Sequence, residues 1–369
     1  VDLRATLTGA VVMAPMTKGS NLPYRRLAVE LGARVLVSEM AVARRLKQRR
    51  QGEFALIRRF DGEPCFAVQL AGKDPGEMAW AAALVEARGA DFVDVNLGCP
   101  IDQFTRKGLG AALARQPNRV RRIVEAMVAG VQRVPVTVKI RLGWDDRHLN
   151  YLDLARAAVE GGAGAVFVHG RTRDARYRYA ANWDAIGEIA AALPVPVIGN
   201  GDLLFPHEIA HATARAGCAG VMVARGALIK PWLFREAALG RVEDPTAEDR
   251  LALYRRYVEL ARQHWGTDDH GRVRVREFTR WHLGFWCRYR PPGPDGTYPT
   301  MQGRDGRFEP RSPLEALLAR SDTAAVDYLA DRLLAGAVVD PEDIAPQPSS
   351  SGAGVADVPE DALAVDYEG

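Results

Sequence analysis

The feature that most constrains this chain is an alternation repeated eight times. Short apolar, β-rich runs recur as VVMAPM (11–16), VLVSEM (35–40), CFAVQL (65–70), FVDVNL (92–97), VTVKIRL (136–142), AVFVHG (165–170), VPVIGNG (195–201) and GVMVARG (220–226). Between them lie stretches with helical period, among them 22–33, 75–90, 118–131, 151–163 and 205–217, several closed by glycine. Glycine is the usual helix stop, because it enters the left-handed region without a Cβ clash. Strands alternating with helices call for parallel pairing through crossover helices. Eight such units predict a closed (β/α)8 TIM barrel followed by a small all-α unit. A doubly wound open sheet is the structural alternative, but no GxGxxG follows the first run.

Nearly every run ends in a chemically special residue: Pro15 and Met16, Glu39, Gln69, Asn96 with Cys99, Lys139 with Arg141, His169, Asn200 with Asp202, and Arg225. In a (β/α)8 barrel the carboxyl ends of the strands form the active-site face. A lone His or Gln there is more often a satisfied barrel group, whereas a whole polar crown has no structural purpose. The last two exits, GNGD (199–202) and ARGALIKPW (224–232), carry glycines where backbone N–H groups can approach a phosphate. With Lys139, His169 and Gln69 converging from other strands, the rim fits a flavin mononucleotide.

The segment DVNLGCP (94–100) sets Cys99 behind an apolar run, flanked by Gly98 and Pro100, and leads into a loop carrying Arg106, Lys107 and two glycines. Free cysteine usually behaves as a small buried hydrophobe. Cys65, Cys218 and Cys287, each in apolar surroundings, are assigned that role. Cys99 stands out through its place at a strand exit beside a basic loop. No CxxC pair occurs, so neither a disulfide framework nor a metal site is expected.

No apolar run reaches the roughly 20 residues needed to span a bilayer, and no signal-peptide pattern opens the chain. A cytoplasmic, reducing setting, no membrane partner and a monomer are expected. The sequence opens at Val1 without a methionine, so residues ahead of it are expected to have been removed or left out. The net charge of +3 conceals an asymmetry. Residues 341–369 hold seven acids and no Lys or Arg, which leaves +10 on the rest. Between 250 and 290 ten arginines face four acids, interleaved with Tyr254, Tyr257, Trp265, Trp281, Phe285, Trp286 and Tyr289. That mixture points to nucleic acid, although several of these rings must also form a helical core. The expected division is a catalytic barrel over 1–243, a helical RNA-binding unit over 244–340 with a capping start at Thr246, and a disordered acidic tail over 341–369.

These residues resemble the dihydrouridine synthase family. The resemblance runs to about residue 336 through APMTKGSNLPYRRL (14–27), SEMAVA (38–43), VQLAG (68–72), DFVDVNLGCPIDQFTRKGLGAAL (91–113), TVKIRLGW (137–144), VHGRTRDARY (168–177), NGD (200–202) and ARGALIKPWLF (224–234). The eukaryotic-type third subgroup is the most similar, although no CCCH zinc-finger segment precedes the barrel and the four cysteines cannot build one. The resemblance implies reduction of the C5–C6 double bond of a tRNA uridine. NADPH would reduce FMN, hydride would pass from flavin N5 to C6, and Cys99 would protonate C5. A thiol with an unperturbed pKa of about 8.5 is mostly protonated near neutrality yet able to give up a proton. By motif, Pro15, Met16, Thr17, Gln69, Lys139, His169, Asn200, Gly201, Asp202, Ala224 and Arg225 would hold FMN. Asn96 would orient the uracil edge or the flavin, with Arg141 close by strand position. Arg106, Lys107, Arg272, Arg274 and Arg276 would meet RNA, with the target base flipped into the barrel mouth.

Two other readings compete: a flavin barrel acting on another structured RNA, a free pyrimidine or another small molecule, and a non-catalytic RNA-binding module. The basic aromatic unit speaks against a small substrate, and Cys99 with the full polar rim speaks against a non-catalytic module.

Overall fold

The computed structural model describes residues 1–302 and 308–345. Among the described residues nine parallel strands form the sheet: β1 (Val11–Met13), β2 (Val35–Val37), β3 (Ala41–Val42), β4 (Cys65–Ala71), β5 (Phe92–Leu97), β6 (Val136–Arg141), β7 (Val166–His169), β8 (Val197–Asn200) and β9 (Gly220–Val223). β1 pairs with both β2 and β9, and β2 pairs with β4, so eight strands close a ring. The expected TIM barrel is thus observed. β3 is a two-residue addition against the end of β4, just past the run VLVSEM (35–40), and no apolar run in the sequence marked it.

The helices begin and end where the chain chemistry dictates. Asp74 caps Pro75–Ala87 by accepting from Glu77 N at 2.8 Å, and proline at the first turn needs no donor. Pro206–Ala216 stops at Gly217, whose φ of +59° is left-handed.

Inside the ring, Phe92 and Phe167 stack with centroids 6.2 Å apart and fill the barrel with Val12, Val37, Ala67 and Ile198. Strand side chains alternate with period two, so Phe92, Asp94 and Asn96 share the inward face in ascending order. The interior therefore turns from apolar to polar toward the carboxyl ends of the strands.

The expected boundary at 243/244 falls between helices Leu233–Leu239 and Ala247–Trp265. Thr246 and Asp249 form a reciprocal capping box at the start of the latter. Helices Asp269–Trp286, Pro313–Leu318 and Thr323–Ala335 follow. This unit packs directly on the barrel. His282 stacks on Tyr24 of helix Leu22–Glu30 at 4.3 Å, and Asn21 Nδ2 lies 3.1 Å from His282 Nε2. Tyr254 stacks on Trp286 at 4.1 Å. Tyr254, Tyr257, Trp286 and Tyr289 are all buried, so these rings make the core of the unit and cannot serve as stacking platforms for bases, contrary to one half of the sequence reading. Residues 341–343 form a short 3-10 turn, tied to the last helix by Arg332 and Tyr328 through Asp343, so the expected disorder does not begin at 341. The rest of that tail, 346–369, lies outside the described residues.

Candidate active site

The carboxyl ends of the strands open into one cavity of about 1310 Å3, counting its open mouth. Its lining includes fourteen residues singled out from sequence: Pro15, Met16, Thr17, Gln69, Asn96, Cys99, Lys139, Arg141, His169, Asn200, Gly201, Asp202, Ala224 and Arg225. Strand register explains the convergence. Asn96 lies opposite Lys139, and two residues further along β6 Arg141 lies opposite His169, itself opposite Asn200, so neighbouring strands deliver their polar residues to the same end of the barrel.

Cys99 is half-buried, whereas the other three cysteines are buried. Burial pushes the Cys65 thiol up to about 12 and also raises Cys218, which keeps both protonated and inert. The turn carrying Cys99 is held on both sides. Its N–H donates to Asn96 Oδ1 at 3.0 Å, and its carbonyl accepts from Ala111 N at 3.1 Å. Arg141 donates from Nε to Gly98 O at 2.8 Å and from Nη1 to Thr172 O at 3.0 Å. Arg141 thus braces the turn as well as lining the cavity.

Beneath the opening runs a buried hydrogen-bonded row. Asn96 Nδ2 donates to Gln69 Oε1 at 2.7 Å, Gln69 Nε2 to Asp94 Oδ2 at 2.7 Å, and Thr137 Oγ1 to Asp94 Oδ1 at 2.8 Å.

The opposite side of the cavity is cationic. Arg171 donates to Asp202 Oδ2 at 2.5 Å, and Arg225 pairs with Asp202 Oδ1 at 3.2 Å. The Arg225 guanidinium lies 3.6 Å from the Tyr177 ring centroid. Arg171 Nη1 stands 3.2 Å from His169 Nε2. A guanidinium can only donate, so Nε2 accepts and the ring proton sits on Nδ1. Burial, then Arg141, Lys139, Arg171 and Arg225, hold His169 well below the usual histidine range, so the ring is neutral. Among the described residues the lining carries five cations, Lys139, Arg141, Arg171, Arg225 and Arg288, against the single carboxylate of Asp202. Such a cavity suits an anionic ligand with a phosphate.

Several functional candidates escaped the sequence reading. Arg171 lies two residues after His169, the same-face spacing of a strand, and that spacing was the available signal. Trp281 and Phe285, read from sequence only as rings of the basic aromatic stretch, line the mouth with Arg288 at spacing i, i+4, i+7 and with Met301, neither of which the sequence placed there. Gln302 donates to Asp202 Oδ1 at 3.3 Å across a separation of 100 residues, which no local pattern announces.

Five residues assigned to RNA lie outside the cavity. Arg106 is 82% exposed on the loop after Cys99, and Lys107 follows it, its carbonyl accepting from Lys73 Nζ. Arg272 is outward, 72% exposed, and Arg274 is 43% exposed with Glu277 at 3.5 Å. Arg276 is bound to Asp327 at 3.0 Å and Asp331 at 2.6 Å. Elsewhere in the stretch 250–290, Arg250 is buried against Glu315, Arg256 pairs with Glu30, and Arg280 pairs with Asp327. Much of the arginine excess read as an RNA footprint is therefore consumed in internal ion pairs. Among the described residues no group of three or more His, Cys, Asp or Glu could hold a metal ion, and no helix is long and apolar enough to cross a membrane.

Residues 12–282 match the family model described as "Dihydrouridine synthase (Dus)". The chain is 39% identical over 333 residues to the "tRNA-dihydrouridine(47) synthase [NAD(P)(+)]" of Cryptococcus neoformans, covering 86% of this chain and 46% of that protein. It is also 39% identical over 334 residues to the "tRNA-dihydrouridine(47) synthase [NAD(P)(+)]-like" protein of Mus musculus, covering 90% of this chain and 52% of that one. The chain spans about half the length of the curated relatives it matches.

Proposed function

The chain belongs to the dihydrouridine synthase family, and from that premise we propose that it reduces the C5–C6 double bond of a uridine in tRNA, using FMN and NADPH. The observation that carries this reading is the shared cavity: a half-buried thiol, Cys99, faces a cluster of cations on the opposite rim.

The donor set suits FMN. Arg225, with the backbone of Gly201 and Ala224, would hold the phosphate end, and Arg171 orients Asp202 beside it. Gln69 and Lys139, with the segment Pro15 to Thr17, would border the ring system. Asn200 Oδ1 lies 3.5 Å from Lys139 Nζ, which directs that ammonium across the cavity. His169, neutral and with its proton on Nδ1, offers one donor without adding a charge. When bound, FMN supplies the hydride taken from NADPH. Cys99 holds a proton on Sγ at the edge of the same cavity, where it is poised to give it to C5 of the base. Asn96 keeps the cysteine turn seated and presents amide edge to the base. Trp281 and Phe285 lend an aromatic wall from the helical unit, which narrows the mouth to an extruded nucleotide and excludes water.

Two measurements test the reading together. Purified protein reconstituted with FMN should bind about one flavin per chain, and mass spectrometry of tRNA incubated with it and NADPH should show a two-dalton gain at uridine. Flavin binding without any RNA reduction would move the activity to another substrate. Absence of flavin binding would end the proposal.

A further inference from the structure

The hydrogen-bonded row under Cys99 has a direction. Cys99 N donates to Asn96 Oδ1, Asn96 Nδ2 to Gln69 Oε1, and Gln69 Nε2 to Asp94 Oδ2, while Thr137 Oγ1 donates to Asp94 Oδ1 from the far side. Every donor points toward Asp94. Gln69, Asp94 and Thr137 sit opposite one another in adjacent strands, so the row is built into the sheet register. All three are at most 1% exposed, and Asn96 is 8% exposed. Asp94 itself does not line the cavity; Gln69 and Asn96 do.

An amide offers a donor on one side and an acceptor on the other, and either face can be turned to a neighbour. An ionised carboxylate only accepts. With Asp94 at the end of the row, Gln69 must turn its NH2 inward. Its carbonyl is then left for Asn96, and the Asn96 carbonyl is left for the backbone of Cys99. We propose that Asp94 is a positioning residue: its carboxylate fixes the sense of the Gln69 and Asn96 amides and thereby seats the turn that carries Cys99. The proposal rests on the reading of Cys99 as the proton donor and deepens it.

Burial pushes Asp94 up to about 6, against hydrogen bonds from Gln69 on β4 and Thr137 on β6 and the charge of Lys139 on β6. Both Asp94 oxygens accept in the row, one from Gln69 Nε2 and one from Thr137 Oγ1, as the acceptor-only form requires. An asparagine at 94 can turn its carbonyl to Gln69 and its NH2 to Thr137, which preserves the sense of the row. A leucine of similar size removes the acceptor and leaves Gln69 Nε2 without its partner.

The test compares wild type, Asp94→Asn and Asp94→Leu. In FMN-free protein, the rate of iodoacetamide alkylation at Cys99 is followed by peptide mass spectrometry, with thermal melts to confirm folding. In FMN-loaded protein, flavin reduction by NADPH and its reoxidation by tRNA are followed separately by absorbance. Asp94→Leu should raise Cys99 alkylation at least about fivefold and slow reoxidation by about 10²-fold, a general-acid-sized loss, while flavin reduction stays within about threefold. Asp94→Asn should remain near wild type in all three. Equal loss in both variants, or none in the leucine variant, overturns the proposal. Should the leucine variant not fold, Gln69→Glu alone and with Asp94→Asn decides. The single change opposes two buried carboxylates, and the double change restores a donor between them. Recovery of about tenfold in the reoxidation rate supports the proposal, and no recovery overturns it. Wild-type protein that fails to be reoxidised by tRNA refutes the proposed function instead, and the alkylation rates still judge the role of Asp94.

Discussion

Lys18, on the first loop of the barrel, and Glu277, on helix Asp269–Trp286, form a 2.7 Å ion pair that joins the cavity rim to the helical unit. Lys18 holds a left-handed backbone, φ +60°, and its N–H donates to buried Glu39 at 2.6 Å. Glu39 accordingly supports the turn that follows Met16 and Thr17 and, through Lys18, the seat of the helical unit.

That arrangement sets a pH dependence. Burial raises Glu39 to about 7, opposed by the Lys18 N–H and the charges of Arg25 and Lys18 and assisted by Glu53. Because the folded value exceeds the unfolded one, the native state binds more protons between roughly pH 4.5 and 7, and stability falls as pH rises through that window. A glutamine at 39 keeps an acceptor for Lys18 but cannot ionise. Melting curves should show wild type gaining on Glu39→Gln as pH falls from 7.5 to 5. A constant gap would place the titration elsewhere.

Cys99→Ala removes the proposed proton donor and keeps the backbone hydrogen bonds of its turn. NADPH should still reduce the flavin at its normal rate, while dihydrouridine formation drops by about 10²–10⁴. Single-turnover assays with tRNA check this, and an alanine variant that reacts like wild type would make Cys99 a packing residue.

Gly110 lies against the cysteine. A Cβ there would sit 2.7 Å from Cys99 O and 2.9 Å from Cys99 Cβ, at a φ of +57°. Gly217 has nearly the same φ, +59°, with nothing within 4 Å of an added Cβ. Alanine at either position should cost about 1–2 kcal/mol for the left-handed backbone. Only Gly110→Ala should also displace Cys99 and reduce turnover, by tenfold or more. Parallel melts and rate measurements on the two variants separate strain from displacement.

For RNA binding, the outward pair Arg272 and Arg274 should matter more than Arg276. Replacing the first two by Gln should weaken tRNA binding and flatten its salt dependence, by about one unit of log–log slope for each phosphate that is no longer neutralised. Arg276→Gln should instead cost up to about 1 kcal/mol of stability, through the missing ion pairs with Asp327 and Asp331. Isotherms at several salt concentrations decide. Unchanged slopes for the double variant would move the footprint to Arg106, Lys107 and the barrel rim.

The period of the apolar runs and the glycine stops determined the eight βα units, because backbone geometry converts a local pattern into an element without outside help. Closure then followed, and so did the end of the barrel at which Gln69, Asn96, Lys139, His169 and Asn200 gather. The motif around Cys99 was legible for the same reason: its two glycines answer local turn demands. Tertiary structure alone decided which charges are spent on each other. Arg171 with Asp202, Lys18 with Glu277 and Arg250 with Glu315 stand 31, 259 and 65 residues apart. Composition counts an arginine the same way whether it faces solvent or a buried carboxylate, and so it overstated the basic face of the helical unit. It also could not reveal that Asp94 terminates the row beneath Cys99, because hydrogen-bond direction depends on partners that only strand register brings together.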